Sequence, residues 1–450
     1  MRTPSPRALF LTGAVAFAVF LVGVLATRTN EPPTPVSFGV YDVSVVQRPF
    51  AATVSFRTTA PSAAAVSWGP AGLRSYLSRR STTPTLVHAF ELPGLTLSAR
   101  YDATIVARSA AGDTAHSDVP FTTAAAPSEV TGTVVGDVVR VNGGAFFPLI
   151  AWQECPGQWE PDLAQGIALF AGNPCTGLPS LLAALGGRAL AAGTAEDVAD
   201  TTGPGLVGWF QPDEADARGL SGESLSRPTG LSFLTLTSHF FSGAAPLPAG
   251  RGMYPGLVAK ADVVGFDLYP LQELCRPDML PAVFDAQREL VRLAAGKPTF
   301  QWIEVREMKC PSTPVTARTI AVESWLALAG GAHGLGFFPS DRHEPETTAI
   351  ANVTTRIRQL EPVLLRPPAP LVMTTASPAV RASARTFGDA LYVIAVNAGS
   401  TSATVKLASK ALTNGPVETV GSAKTLRAVD GSLTLTMPPL SVRILVARGS

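Results

Sequence analysis

Between residues 146 and 338 the chain repeats one pattern eight times: a short apolar run ending in a turn or polar residue, then a longer segment. The runs are Phe146–Trp152, Gly166–Ala171, Arg188–Ala192, Leu206–Phe210, Leu231–Thr237, Asp262–Leu268, Thr299–Glu304 and Gly334–Phe338. Their length and turn-residue borders read as buried strands. The segments between them are long enough for helices or extended loops, and helices are expected at Pro179–Leu185, Pro281–Ala294 and Thr316–Ala329. The last two carry apolar residues at three- and four-residue spacing. Eight strands alternating with helices predict a closed parallel (β/α)8 barrel. Barrels of this kind keep their reactive groups at the C-terminal ends of the strands, so the residues just past each run matter most.

Two carboxylates stand out there. The run Leu206–Phe210 gives way to Gln211, Pro212, Asp213 and Glu214, and Glu304 closes the seventh run 90 residues after Glu214. Glycoside hydrolysis needs such a pair, since one carboxyl protonates the leaving oxygen while the other attacks or positions water. For either residue alone, a solvated or helix-capping side chain is the plainer alternative.

The rest of the chain narrows the setting. With 35 Lys+Arg against 34 Asp+Glu the net charge is +1, which gives no electrostatic reason to expect nucleic acid as a partner. Arg2 and Arg7 precede an apolar run, Ala8–Ala26, that is followed by the polar stretch TRTNEPPTP. That order predicts an export signal in residues 1–30, either cleaved after Val24-Leu25-Ala26 or kept as a membrane anchor. The four cysteines agree with an oxidising compartment. On the barrel model Cys155 and Cys175 follow strands one and two, and Cys275 and Cys310 follow strands six and seven. Of the three possible connectivities this favours Cys155–Cys175 and Cys275–Cys310. No CxxC pair and no cluster of the five histidines suggests a metal site, and no cofactor is expected.

The barrel is flanked by β-rich segments. Residues 36–125 contain short alternating runs at Ala52–Thr58, Ala64–Trp68, Leu86–Leu92, Tyr101–Arg108 and Val119–Thr123. The stretch from Leu92 to Tyr101 resembles the corner of a fibronectin type III domain, with Tyr101 as its corner tyrosine. After the stiff break LRPPAP at Leu365–Pro370, residues 371–450 return to short β runs: Val380–Ala384, Ala390–Asn397, Ala403–Leu407, Leu433–Met437 and Ser441–Val446. This resembles the all-β sandwich that often follows the barrel in glycoside hydrolases.

The central domain, about 130–365, resembles the clan of retaining glycoside hydrolases with a (β/α)8 barrel. The likeness rests on Gly208-Trp209 through Asp213-Glu214, on Gly265-Phe266-Asp267-Leu268-Tyr269-Pro270, and on Lys297-Pro298 through Glu304. It implies that Glu214 is the acid/base and Glu304 the nucleophile, with Tyr269 hydrogen-bonded to Glu304. Trp152, Trp209 and Trp302 would stack on sugar faces, and Glu154, Asp267 and His239 would bind sugar hydroxyls. Barrel core, helix capping or a structural histidine is the competing explanation for each. One position departs from the clan: Asp213 stands where an Asn usually contacts the 2-hydroxyl, and an ionised Asp accepts but does not donate. The expectation is an exported hydrolase of O-glycosidic bonds in a poly- or oligosaccharide, with no metal. The alternatives are a non-catalytic carbohydrate-binding or cell-surface scaffold that keeps the barrel, and, less well matched, a metallophosphoesterase.

Overall fold

The computed structural model describes residues 37–194, 197, 203–226, 229–339 and 342–449. The expected export signal lies outside the described residues. No helix among the described residues is long and apolar enough to cross a membrane.

Eight parallel strands close into a barrel: β1 (Leu149–Trp152), β2 (Leu169–Ala171), β3 (Leu190–Gly193), β4 (Leu206–Phe210), β5 (Leu231–Thr237), β6 (Val263–Asp267), β7 (Thr299–Glu304) and β8 (Leu335–Phe338). Each pairs with its sequence neighbour, and β8 closes the ring on β1 through Leu335↔Leu149, Gly336↔Ile150 and Phe337↔Ala151. The interior is filled by large rings, among them Phe233, Phe300 and Trp302. Two glycines make room for them. A Cβ at Gly265 would collide with the Phe300 ring, and one at Gly336 with the Trp302 indole.

The described helices are α1 (Trp159–Gln165), α2 (Leu178–Leu185), α3 (Tyr254–Val258), α4 (Leu280–Ala294), α5 (Ala317–Gly330), α6 (Glu346–Arg358) and α7 (Glu361–Leu364). Helix α5 starts at a capping box in which the Thr316 hydroxyl accepts from Thr319 N while the Thr319 hydroxyl accepts from Thr316 N. It is buried from Ile320 to Gly330 except at Ala321, as befits a helix covered on two sides. The barrel lies on one side and the C-terminal sheet on the other, where Arg385 Nη2 donates to Leu328 O at 2.8 Å.

Residues 38–122 form an antiparallel sandwich of the fibronectin type III kind. Two of its strands are long, Ala51–Pro70 and Leu77–Pro93, and each serves both sheets. Residues 51–58 pair with Val40–Arg48, whereas residues 62–70 pair with Arg100–Ser109, and the register shifts between Arg57 and Ser62. The sequence reads this strand as two runs because the polar bend separates two buried stretches. Tyr101 makes the expected corner, its hydroxyl accepting from Thr96 N at 3.0 Å. A small three-stranded sheet, Gly132–Val135, Val138–Val141 and Gly144–Phe146, leads into the barrel. Phe146 therefore belongs to this sheet, and the first barrel strand starts at Leu149. The C-terminal region stacks a six-stranded sheet and a three-stranded sheet, with Ala390–Asn397 between Val380–Phe387 and Ser441–Arg448.

Candidate active site

The loop after β4 is pinned at both ends. Upstream, Gln211 N donates to Phe233 O at 2.7 Å, and Gln211 Nε2 donates to Ser226 O and Ser232 Oγ. Downstream, the buried Asp216 carboxylate accepts from Thr237 N at 3.0 Å, Thr237 Oγ1 at 2.6 Å and the Tyr254 hydroxyl at 3.1 Å. Between these anchors lie Asp213 and Glu214, and Glu214 takes a left-handed backbone with φ 47°. A non-glycine residue pays for that conformation only where its surroundings enforce it.

Both side chains face a cavity of about 220 Å³ at the C-terminal mouth of the barrel. Its acidic wall is Asp213, Glu214, Asp267 and Glu273, and Lys309 is the one cation among its described lining residues. Trp152, Trp302, Tyr269 and Phe338 supply the aromatic wall. Trp302 is fixed by a bond from Nε1 to Thr235 Oγ1 at 3.1 Å and by Trp152, edge-on at 5.6 Å. Tyr269 stacks on Phe338 with ring centroids 5.9 Å apart.

Asp267, the last residue of β6, is hydrogen-bonded to Glu214. Burial pushes the Asp267 carboxyl well above the ordinary carboxylate range, and the adjoining charge and hydrogen bond of Glu214 push it further, followed by the charges of Asp213 and Glu273. The Asp267 carboxyl therefore keeps its proton. The Tyr269 phenol is likewise raised, by burial first and then by the charge of Asp267, and stays neutral.

The structure brings together Trp152, Asp213, Glu214, Asp267, Tyr269 and Trp302 of the residues singled out in the sequence. It places the others elsewhere. Glu304 is fully buried and does not line the cavity; its Oε1 accepts from Leu271 N and its Oε2 from Gln272 N, both at 2.8 Å. These amides, and not the Tyr269 hydroxyl, hold it. Buried Glu323 of α5 is its other partner: Glu304 N donates to Glu323 Oε1 at 3.1 Å, and the two carboxyls are hydrogen-bonded. Glu154 is buried in an ion cluster in which Arg342 also pairs with Asp162. Trp209 packs outside the barrel ring, against Gly193. His239 donates from Nδ1 to Ala245 O at 2.7 Å, away from the cavity.

Gln272, Glu273, Met308, Lys309 and Phe338 line the cavity without having been anticipated. Phe338 closes β8, which is the signal that finds it; Glu273, in the loop after β6, and Met308 and Lys309 carry none. Gln272 is the hub of this rim. Its Oε1 accepts from the amides of Met308, Lys309 and Cys310, and its Nε2 donates to Cys310 O and Thr313 O. The disulfide Cys275–Cys310 ties the same two loops covalently, and Cys155–Cys175 ties the loops after β1 and β2. Two disulfides are the mark of an extracytoplasmic protein. Among the described residues no group of His, Cys, Asp and Glu is arranged to hold a metal ion.

Fold and site together define a multidomain (β/α)8-barrel protein with a carboxylate- and ring-lined pocket at the mouth of the barrel. No protein-family model matches the chain. No curated protein matches it either. Among solved structures it is similar to a β-glucuronidase from Ruminococcus gnavus, at 10% identity and TM-score 0.37 over 70% of this chain and 68% of that one. It is similar to a Lactobacillus rhamnosus β-glucuronidase at 11% identity and TM-score 0.36, over 71% and 68%. A GH30 endoxylanase from Clostridium papyrosolvens C71 gives 12% identity and TM-score 0.41, over 72% and 100%.

Proposed function

We propose that the protein is an exported glycoside hydrolase acting on a poly- or oligosaccharide. The observation that carries this reading is the raised Asp267 carboxyl hydrogen-bonded to Glu214, set in a cavity walled by Trp152 and Trp302 at the mouth of a closed barrel. A carboxyl that stays protonated near neutrality is what protonation of a leaving glycosidic oxygen requires, and indole faces suit the apolar faces of a sugar ring. Glu214 delivers the proton, and Asp267 holds it in reserve. The division into a sandwich at 36–125, a barrel at 130–365 and a C-terminal sandwich at 371–450 is part of the proposal, as is export through residues 1–30.

The identity of the attacking group divides the reading in two. Retention with Glu304 as nucleophile needs its carboxylate to leave the amides of Leu271 and Gln272 and enter the cavity, to stand about 5 to 5.5 Å from the acid. The burial of Glu304 weighs against that and favours attack assisted by the carboxylates already in the cavity. The same observation favours the second reading, a carbohydrate-binding protein without turnover.

The test is release of reducing ends from a panel of polysaccharides, with the product anomer followed by NMR. A glycosidase gives turnover that Glu214→Gln lowers about 10²- to 10⁴-fold, the usual share of general acid catalysis. Binding without turnover in the wild type establishes the scaffold reading instead.

A further inference from the structure

Helices α5 and α6 meet the six-stranded C-terminal sheet over a row of small side chains. Ala317, Ala321 and Trp325 follow one another at four-residue spacing along α5, and Ala349, Val353 and Arg356 lie at four- and three-residue spacing along α6. Each set therefore shares one helix face. The alanines fill little of the space beside the strand Ser441–Arg448, and a cavity of about 240 Å³ remains. It has no described lining residue in common with the cavity at the barrel mouth.

We infer that this second cavity binds a phosphate group, either as free phosphate or as a phosphomonoester. Two guanidinium groups line it, Arg356 of α6 and Arg443 of the strand, and no described lining residue is acidic. Among the described residues neither arginine belongs to an ion pair. The Arg443 side chain makes one hydrogen bond, from Nη1 to the adjacent Val442 O at 3.2 Å, and the Arg356 side chain makes none. Other arginines of the same sheet are matched, Arg381 with Asp285 and Arg448 with Glu418.

A third donor points to the same ligand independently of the arginines. Trp325 is 2% exposed, yet its indole N–H reaches no acceptor among the described residues. A buried indole N–H normally finds a partner. This one is not sealed in the core as the Trp68 N–H is, and so opens to the cavity that the indole lines.

The Arg356 head is seated in advance. A Cβ at Gly421 would collide with the guanidinium, so the bare backbone there, at φ 72°, is what makes room for it. That loop is held by Val420 N donating to Ile444 O at 2.8 Å and by Gly421 N donating to the Tyr76 hydroxyl at 2.9 Å.

Charge and direction select the ligand. Two positive groups without an acid call for a dianion, and donors arriving from α5, α6 and the sheet suit oxygens that point several ways. A phosphate group carries a charge of about −1.5 to −2 near neutrality and at least three strong acceptor oxygens. A carboxylate offers two oxygens in one plane and balances one guanidinium.

The experiment titrates the full chain by isothermal calorimetry with inorganic phosphate, glycerol 3-phosphate and acetate, each against sodium chloride of matched ionic strength. The expected result is saturable binding of a phosphate compound with a Kd of about 1 mM or tighter, and acetate weaker by about tenfold or more. Tighter binding of glycerol 3-phosphate than of the inorganic ion assigns the site to a phosphomonoester; equal or weaker binding assigns it to free phosphate. Arg356→Gln and Arg443→Gln should each lower the affinity about tenfold or more, the loss expected of one charge-assisted hydrogen bond. Trp325→Phe, which keeps a ring and removes the N–H, should lower it several-fold. Both arginines are half-buried and bond no other element, so their variants decide the matter even where Trp325→Phe does not fold. No saturable binding of either phosphate compound, acetate bound as tightly, or undiminished affinity in either arginine variant overturns the proposal.

Discussion

The main-chain N–H of Gln272 donates to Glu304 Oε2 at 2.8 Å, while the Gln272 side chain gathers the loop that carries Lys309. One buried carboxylate thus seats the loop after β6, and that loop seats the loop after β7. Burial raises the Glu304 carboxyl to about 7, against the pull of the two amides and of the hydrogen bond with Glu323. Glu304→Gln turns an amide donor toward one of two backbone donors and loses one bond, so stability should fall by about 1–3 kcal/mol. Thermal unfolding measures this. A nucleophile predicts the reverse pattern: unchanged stability and lost turnover in Glu304→Gln, with azide restoring turnover and giving inverted product in Glu304→Ala.

The Glu214–Asp267 pair predicts a particular pH profile. If the pair supplies the proton, turnover declines at high pH as that proton is lost. Asp267→Asn removes the raised carboxyl itself, so the decline should begin at lower pH than in the wild type. A pH–rate profile in which Asp267→Asn leaves the alkaline limb in place would contradict the Asp267 carboxyl as the source of the acid.

Much of this arrangement was legible in the sequence, and the parts that were not share a physical cause. Strands β4, β5 and β7 begin and end where their apolar runs do, because Gly205, Gly230 and Pro298 mark their starts. Helix α3 has five residues, too few to show a period, and α6 is rich in threonine, which weakens its helical signal. The orientation of Glu304 was hidden for a different reason. It shares the parity of Phe300 and Trp302, which fill the barrel, so alternation points it inward. Its carboxylate is held by amides of a neighbouring loop, a long-range partnership with no local trace. Asp267 could be placed at a strand end, but its bond to Glu214 depends on how β4 and β6 face each other across the ring.

Asp216 should act on turnover without entering the cavity. Its carboxylate accepts three hydrogen bonds, two from Thr237 and one from Tyr254, and it lies two residues beyond the left-handed Glu214. Asp216→Ala leaves those donors without their acceptor, at a cost of about 1–3 kcal/mol, and frees the loop to relax. Turnover should fall about tenfold or more with little change in KM. Tyr254→Phe removes one of the three bonds and should lie between this variant and the wild type. An Asp216→Ala protein that loses stability but keeps its kcat would separate the anchor from the chemistry.

Glu361 offers a test of pH-dependent stability at a distance from the pocket. It begins α7 and is buried, with Oε1 accepting from Phe147 N at 3.2 Å just ahead of β1. Burial raises its carboxyl from the ordinary 4.5 to about 7, against the Phe147 amide and the charge of Arg358. Between those two values the folded protein holds a proton that the unfolded chain has released. Its contribution is therefore complete below about 4.5 and is lost as pH rises through about 7. The loss reaches about 3 kcal/mol if the whole shift is realised. Glu361→Gln keeps an acceptor for Phe147 N and removes the titration. The melting temperature of the wild type should fall relative to that of the variant between pH 5 and pH 8, a window of about three units around the raised value. Buried His333, whose ring is lowered to about 4 by burial, weakens the fold on the acid side, but it is common to both proteins and cancels in the difference. Parallel melting curves across that range would show that Glu361 is already ionised in the folded protein.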